Sequence, residues 1–314
     1  MTAARKRAMR LSQIRPALFM PVGRKKHPGI EQKNWRLIMK LITFLHSGKE
    51  RTGVLTDMGI LPFQGEKSLL SVIKSGVIPP FTGESLSMED VRLLAPISRP
   101  EGDIVCLGMN FRDHTVEAAR FDPVMKRENK AVYFSKRTPE ATPPGGKIPA
   151  HRDLTQMLDY EAEVAFVIGR DAANVSPEEA REFVFGYTIL NDVSARDLQT
   201  AHKQFYFGKS LDGFAPMGPC IVTADEFAYP PDIPVRCFVN GEKRQDGSTR
   251  QWVFSIADVL CELTRGMTLR SGTIISMGTP AGVGMGFSPP RYLKPGDTVR
   301  CEADGIGVLE NTVE

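Results

Sequence analysis

Three carboxylates stand at every second position of residues 158–169, which read LDYEAEVAFVIG. The second half of this stretch is apolar and β-branched, as a buried strand is, and side chains alternate between the two faces of a strand. Asp159, Glu161 and Glu163 are therefore expected to point the same way, although like charges repel. A solvated face would tolerate them, but such a face usually mixes charge signs, and no Lys or Arg follows until Arg170.

A further acid, Asp192, ends the next predicted strand, YTILND, at residues 187–192. We expect a short α-helical crossover over residues 174–186 to bring the ends of the two strands together. Glu161, Glu163 and Asp192 would then form a cluster of hard oxygen ligands, which suits Mg²⁺, Mn²⁺ or Ca²⁺ rather than zinc. A divalent cation would convert the repulsion into attraction. The pattern therefore predicts a metal site.

Two further stretches carry groups that could transfer or stabilise charge. His114 and Glu117 are three positions apart in CLGMNFRDHTVEAARF, so they share a face in a helical turn. A His oriented by a carboxylate is a general base near neutral pH, whereas a surface His with an incidental acidic neighbour is the alternative. Lys209 lies in the Gly/Pro-rich stretch FYFGKSLDGFAPMGP, where it could bind a carboxylate or an oxyanion or could simply be solvated.

The glycine-rich stretch TIISMGTPAGVGMGFSPP, residues 273–290, does not have the G-x-G-x-x-G spacing of a dinucleotide-binding loop. Pro289 and Pro290 follow it instead of a helix. We expect its backbone N–H groups and the hydroxyl of Thr279 to approach an anionic ligand. The tripeptide GKS likewise lacks the upstream glycine of a P-loop, which argues against ATP binding.

These groups are carried by many short predicted strands and few helices. Strands alternate with Gly/Pro turns from Asp103 onward, and helices are predicted only over SPEEAREFVFG (176–186) and SIADVLCELTRG (255–266). The pattern predicts a β-rich α+β fold. We expect a small N-terminal α/β domain at 39–98 and a catalytic domain at 99–314.

Charge is distributed unevenly along the 314 residues. Residues 1–38 contain ten Lys or Arg and one acid, whereas the rest carries 30 Lys or Arg against 36 acids. The basic segment could result from a translation start upstream of the natural one at Met39, could be an organellar transit peptide, or could be an arm that binds a partner. In each case we expect it to be disordered and to have no role in catalysis. The mildly acidic body argues against a nucleic-acid partner.

Other bulk features concern the compartment in which the protein is expected. No stretch approaches the roughly 20 apolar residues that cross a bilayer, so no membrane partner is expected. The five cysteines are odd in number and show no C-x-x-C spacing. This pattern argues against a zinc site or a disulfide framework and favours reduced thiols in the cytoplasm.

In combination, these motifs resemble the fumarylacetoacetate hydrolase family. The likeness covers nearly all of residues 100–314 and is specific because seven stretches occur in the family's order. They are CLGMNFRDHTVE, DYEAEVAFVIG, LNDVSARDLQ, GKSLDGFAPMGP, NGEKRQDGST, MTLRSGTIISMGTPAGVG and LKPGDTVRCEADGIGVLENTV.

The resemblance implies a mixed β-roll that usually forms homodimers. Asp159 is not a ligand in the family pattern. The additional metal-binding acid of the large eukaryotic hydrolases has no clear counterpart before His114, so the chain looks like the shorter microbial type. The family's metal ligands fall on Glu161, Glu163 and Asp192, its His–x–x–Glu pair on His114 and Glu117, and its substrate-side residues on Arg196, Gln199, Lys209 and Thr279.

The function implied by the resemblance is Mg²⁺-dependent hydrolysis of a C–C bond in a small acylpyruvate-like β-diketo acid, as in the catabolism of aromatic compounds. His114, oriented by Glu117, would take a proton from water, Lys209 would stabilise the oxyanion, and the metal would hold the enolate that leaves. Specificity is expected in the pocket walls and in a mobile segment, 111–130.

The same chemistry without water attack supports other activities. An isomerase or decarboxylase, of the 2-hydroxyhepta-2,4-diene-1,7-dioate isomerase or oxaloacetate decarboxylase type, is the main alternative. Action on sugar-derived keto acids or on ureidoglycolate is also open. A catalytically silent metal- or ligand-binding protein would require displacement of His114 or Glu117, and both are present.

Overall fold

The computed structural model describes residues 39–65, 67–118 and 130–314. The predictions for the basic segment 1–38, and part of those for segment 111–130, concern residues outside these ranges. Within them, no helix is both long and apolar enough to cross a lipid bilayer.

Strands make up most of the regular structure in the described ranges. The helices are short, and 3₁₀ turns connect several strands. In chain order the elements are β1 (Lys40–His46), β2 (Lys49–Thr56), β3 (Gly59–Pro62), α1 (Leu69–Ser75), β4 (Arg92–Leu94), β5 (Ile104–Gly108), α2 (Arg112–Ala118), β6 (Val132–Lys136), β7 (Lys147–Ile148), β8 (Leu158–Asp159), β9 (Ala162–Ile168), β10 (Val184–Asn191), β11 (Ser194–Ala195), α3 (Arg196–Ala201), α4 (Tyr206–Lys209), β12 (Met217–Thr223), β13 (Pro234–Val239), β14 (Glu242–Ser248), α5 (Ile256–Thr264), β15 (Ile274–Ser276), β16 (Thr298–Ala303) and β17 (Gly307–Val313).

The main sheet has the strand order β3-β2-β1-β12-β10-β9-β15-β5-β6, with β4 paired to β1. A second sheet has the order β14-β13-β16-β17-β7, and β11 pairs with β8. Both large sheets are mixed, because β15 runs parallel to β5 and β17 runs parallel to β7. The predicted β-rich α+β fold is therefore confirmed. The segment 39–98 adds β1–β4 to the main sheet through the β1–β12 pairing.

Strand β9 lies at the centre of the main sheet, and both of its faces are covered. Val164, Phe166 and Ile168 belong to one apolar core, while Ala165 and Val167 belong to the other. This alternation explains why β9 reads as a continuous apolar run: a strand buried on both faces has no solvent side to carry polar residues. The start of β9 is consequently held rigidly.

The second sheet packs against one of these two cores. Val235, Cys237 and Val239 of β13 and Val299 and Cys301 of β16 are all buried there. Helix α5, within the predicted helix at 255–266, contributes to the same core, and its N-cap Ser255 forms a capping box with Asp258. The opposite core receives α1.

The predicted α-helix at 176–186 is wrong. Only a 3₁₀ turn forms, at Ala180–Phe183, and β10 begins at the next residue. Strands β9 and β10 are antiparallel neighbours, so their connection only has to reverse the chain. Residues 184–186 are taken up by β10, so the predicted helix and the observed strand overlap there.

Candidate active site

The antiparallel pairing of β9 with β10 brings the predicted acidic cluster together. Ala162 lies opposite Asn191, so the beginning of one strand meets the end of the other. Ligand oxygens of Glu161, Glu163 and Asp192 all lie within 4.8 Å of one another, and all three residues are buried. These residues could hold a metal ion, and their carboxylate oxygens fit a hard divalent cation.

Two buried ammonium groups contact this cluster. The Nζ atom of Lys209 lies 2.8 Å from Oε2 of Glu161 and 2.8 Å from Oδ2 of Asp192. The Nζ atom of Lys136 lies 2.7 Å from Oδ1 of Asp192 and donates to the carbonyl of Val193 at 3.0 Å. Lys136 is fully buried, and burial lowers its pKa although Asp192 opposes this. Sequence reasoning missed Lys136, whose only signal was a lysine at the end of an apolar strand.

The acids of the cluster differ in their electrostatic surroundings. Burial, followed by the charges of Asp192 and Glu161, raises the pKa of Glu163 well above its usual value. Burial also acts to raise the pKa of Glu161, but Lys209 and Arg196 outweigh it and bring that pKa well below its usual value. Glu163 therefore carries most of the repulsion within the cluster, and a cation there would relieve it.

Glu163 is oriented by the end of β15. Its Oε2 atom accepts hydrogen bonds from the Ser276 hydroxyl at 2.5 Å and the Gly278 amide at 3.1 Å. These donors come from more than a hundred residues along the chain. Ser276 was not identified from the sequence because no local spacing relates it to Glu163.

Asp159 has a structural partner of its own and is not part of the cluster. Its Oδ1 accepts from the amides of Tyr160 at 2.9 Å and Gly284 at 2.6 Å. Its Oδ2 accepts from the amide of Met285 at 3.0 Å and from Nε of Arg196 at 2.9 Å. Of the three acids that were expected on one face, Glu161 and Glu163 thus belong to the cluster, whereas Asp159 binds Arg196.

Arg196 links Asp159 to the cluster. Its Nη1 lies 2.7 Å from Oε1 of Glu161 and donates to Oε1 of Gln199 at 3.1 Å. Arg196 is 4% exposed, yet its Nη2 has no hydrogen-bond partner among the described residues. A buried guanidinium N–H without a partner is costly, so this donor is available to an anionic ligand.

The predicted pair of His114 and Glu117 forms on α2. Nδ1 of His114 lies 2.9 Å from Oε2 of Glu117, and both side chains are largely buried. The other oxygen of Glu117, Oε1, accepts from the amide of Gly282 at 3.0 Å. Glu117 is thus anchored on one side and orients the imidazole on the other.

Thr279 lines the site, but its hydroxyl is already engaged. It donates to the carbonyl of Ala162 at 3.0 Å and accepts from Nε2 of Gln245 at 2.8 Å. Its one hydrogen is thus used within the protein in this structure, and the role of Thr279 toward a ligand stays a prediction. Gln245, fully buried, also accepts from the amide of Ala162 and was not found from the sequence.

Three amides of the glycine-rich loop are likewise engaged within the protein. The amides of residues 282, 284 and 285 donate to Glu117 and Asp159, which are carboxylates of the chain itself. The expectation that other N–H groups of the loop approach an anionic ligand stays a prediction.

A pocket of about 510 Å³, a volume that includes its opening to solvent, joins most of these groups. Seven of the nine predicted site residues line it, and the other two, Glu117 and Asp192, contact lining residues from behind. The lining combines charged and polar side chains with apolar ones. The lining residues are Leu107, Gly108, Met109, His114, Phe134, Glu161, Glu163, Arg196, Gln199, Thr200, Phe205, Lys209, Thr279 and Met285.

The arrangement combines an acidic cluster, a free guanidinium donor and an oriented imidazole around one pocket. Such a site can bind an anion, place a cation beside it and move a proton between two of its atoms.

Comparison with known proteins identifies the family of the chain. The family described as fumarylacetoacetate (FAA) hydrolase C-terminal matches residues 103–314, and the family described as Rv2993c-like, N-terminal, matches residues 39–96. The oxaloacetate tautomerase YisK of Bacillus subtilis is 44% identical over 227 residues, which cover 72% of this chain and 74% of that protein.

Solved structures resemble the chain over most of its length. A fumarylacetoacetate hydrolase from Exiguobacterium antarcticum is 43% identical, with a TM-score of 0.79 over 88% of this chain and 99% of that one. A 5-carboxymethyl-2-hydroxymuconate delta-isomerase from Mycobacterium smegmatis is 31% identical, with a TM-score of 0.70 over the same shares of the two chains. By sequence and by fold, the chain belongs to the fumarylacetoacetate hydrolase family.

Proposed function

We propose that the protein is a tautomerase or isomerase of small 2-keto dicarboxylic acids, interconverting their keto and enol forms. The observation that carries the proposal is the unpartnered Nη2 of Arg196, a residue that lines the same pocket as His114, Glu161 and Glu163. A keto–enol shift needs an anchored carboxylate, a group that moves a proton between carbon and oxygen, and charge stabilisation at the keto oxygen. The pocket offers a group for each.

Arg196 would bind the carboxylate next to the keto group. Its Nε and Nη1 are held by Asp159 and Glu161, so the guanidinium is already oriented and loses little freedom on binding. Its remaining N–H groups would donate to the ligand. Gln199, which accepts from Nη1, lies beside this anchor on the pocket wall.

His114 would carry the proton. In the enol-to-keto direction it would take the hydroxyl proton of the enol and deliver a proton to the neighbouring carbon, so no proton is gained or lost overall. Glu117 orients the ring through Nδ1, which leaves Nε2 as the nitrogen that exchanges the proton.

Lys209 would stabilise negative charge on the keto oxygen. An ammonium has three N–H donors, and two of them are directed at Glu161 and Asp192. The third remains for the pocket, which Lys209 lines. A divalent cation held by Glu161, Glu163 and Asp192 would add Lewis-acid polarisation of the same oxygen.

The related tautomerase and isomerase support this activity better than the C–C bond hydrolysis expected from the sequence motifs. Hydrolysis remains the second candidate because a solved relative, 43% identical, is described as a fumarylacetoacetate hydrolase. In that reaction His114 would deprotonate water instead of the substrate.

A substrate panel tests the proposal. The purified protein would be assayed with Mg²⁺ against enol-oxaloacetate, a dienol diacid and an acylpyruvate, with ultraviolet absorbance following the enol and chromatography following the products. We expect faster loss of the enols than in the uncatalysed control, without C–C cleavage. Turnover of the acylpyruvate alone would refute the tautomerase assignment in favour of a hydrolase. The role of Arg196 is tested with Arg196→Lys, because lysine keeps the positive charge but lacks the planar, forked set of N–H donors.

A further inference from the structure

The glycine-rich loop lies between the two halves of the proposed site. The amide of Gly282 donates to Oε1 of Glu117 at 3.0 Å, and the amides of Gly284 and Met285 donate to the two oxygens of Asp159 at 2.6 and 3.0 Å. The loop therefore contacts both carboxylates that orient pocket groups. Glu117 orients the imidazole of His114, and Asp159 orients the guanidinium of Arg196. Residues 284–286 form a single 3₁₀ turn, which gives the loop a defined shape.

The last glycine of the loop has a different role from the first. A Cβ atom at Gly282 would lie 1.9 Å from the backbone carbonyl of Arg244, and the φ of Gly282 is +101°, so both backbone and space require glycine there. Gly286 does not lie in the left-handed region. A Cβ atom there would lie 1.8 Å from Oε1 and 2.4 Å from Cδ of Glu117. Glycine is needed at residue 286 because the carboxylate of Glu117 occupies the space of a side chain.

We propose that the loop 282–286 is a positioning element of the active site, and that Gly286 is the residue that admits Glu117 to its place beside His114. The inference rests on the proposed function insofar as His114 transfers the proton. The loop ties the imidazole and the guanidinium to one rigid turn, so the distance between proton carrier and carboxylate anchor is set by a single element. Productive geometry within about 1 Å matters because a misplacement of that size can cost about 10²-fold in rate.

Gly286→Ala tests the inference with little risk to the fold. Its new methyl group would meet the end of a flexible side chain rather than backbone, so Glu117 can rotate away while the loop keeps its shape. We expect kcat to fall about 100-fold, as for a displaced catalytic group, with KM changed less than about threefold because Arg196 is untouched. Gly266→Ala is the matched control: no atom lies within 4 Å of its Cβ and its backbone is not left-handed. That variant should retain wild-type kinetics.

A double-mutant cycle separates positioning from general damage. In a Glu117→Ala background, Gly286→Ala should have no further effect on kcat, because the side chain it displaces is already absent. The inference would be overturned if Gly286→Ala lowered kcat equally in the wild-type and Glu117→Ala backgrounds. It would also be overturned if the variant changed kcat and KM in proportion and lowered the Tm.

A crystal structure of Gly286→Ala gives a result that does not depend on turnover. We expect the Nδ1–Oε2 distance between His114 and Glu117 to exceed 3.5 Å, which would break the hydrogen bond. If the wild-type protein turns over no member of the substrate panel, the proposed function fails, and this distance alone decides the inference. A preserved hydrogen bond between the two side chains in the variant would overturn it.

Discussion

Replacement of Asp159 by Asn should destabilise the protein strongly, although the two side chains have the same size. Each carboxylate oxygen of Asp159 accepts from two donors: Tyr160 and Gly284 amides on one, Met285 amide and Arg196 Nε on the other. An amide has only one acceptor oxygen. Whichever way it is turned, its NH₂ group would face two donors in a fully buried site.

The magnitude follows from the two hydrogen bonds that the NH₂ group cannot accept. A hydrogen bond to a charged group contributes about 1.5–3 kcal/mol, so two of them amount to about 3–6 kcal/mol. This range agrees with the cost of about 3–5 kcal/mol for breaking a buried ion pair from one side. The total free energy of unfolding of a domain is only about 5–15 kcal/mol, so the variant would lose a large part of its stability.

Urea unfolding followed by far-ultraviolet circular dichroism would measure the change. The second readout is KM: because the neutral amide holds the guanidinium less firmly than the carboxylate does, Arg196 should bind the substrate carboxylate less well. Asp171→Asn is the matched control, since Asp171 also accepts from an arginine, Arg270, and a backbone amide, that of Ser271, but on the exposed surface. Surface pairs contribute little, and this variant should unfold as the wild type does. A decrease in stability below about 1 kcal/mol for Asp159→Asn would refute the role assigned to this buried carboxylate.

Three further outcomes are expected. Lys136→Met should lower kcat and the midpoint of urea unfolding, because Asp192 would lose a buried ionic partner; an unchanged protein would contradict the part given to this lysine. Glu161→Ala should abolish activity and should abolish Mg²⁺ binding measured by calorimetry. Chelation of the metal should abolish the activity of the wild-type protein. A Glu161→Ala variant that binds Mg²⁺ with full affinity would disprove the ligand assignment. When the native protein is treated with a maleimide and the products are followed by mass spectrometry, Cys261 should be labelled first. The labelling rate should increase with pH, because the thiolate is the form that reacts. The slowly labelled thiols should be the buried ones, whose accessibility is close to zero: Cys106, Cys220, Cys237 and Cys301.

Local spacing along the chain was enough to predict several parts of the site. Two separations are set by backbone geometry within a few residues. Glu161, which immediately precedes β9, is two positions from Glu163 within it, and His114 is three positions from Glu117 on a helix. The β-rich fold and the family could likewise be predicted, because strand patterns and ordered motifs are properties of the sequence itself.

Other parts depended on packing between distant segments. The sequence predicted the cluster with Asp192 through a helical crossover, whereas antiparallel pairing of β9 and β10 produces it. The contacts of Lys136 with Asp192, of Asp159 with Arg196 and of Glu117 with the Gly282 amide join residues 37 to 165 positions apart.

The amino-acid sequence by itself determined which chemical groups are present and which of them share a strand or helical face. Only the tertiary structure decided which groups bind Asp159, which donor of Arg196 is free and why glycine is needed at residues 282 and 286. The physical reason is that hydrogen bonding and burial are properties of a packed environment. A carboxylate such as Asp159 has the same covalent structure whether it binds a metal, an arginine or water, and its partners are settled only when the strands and loops around it pack.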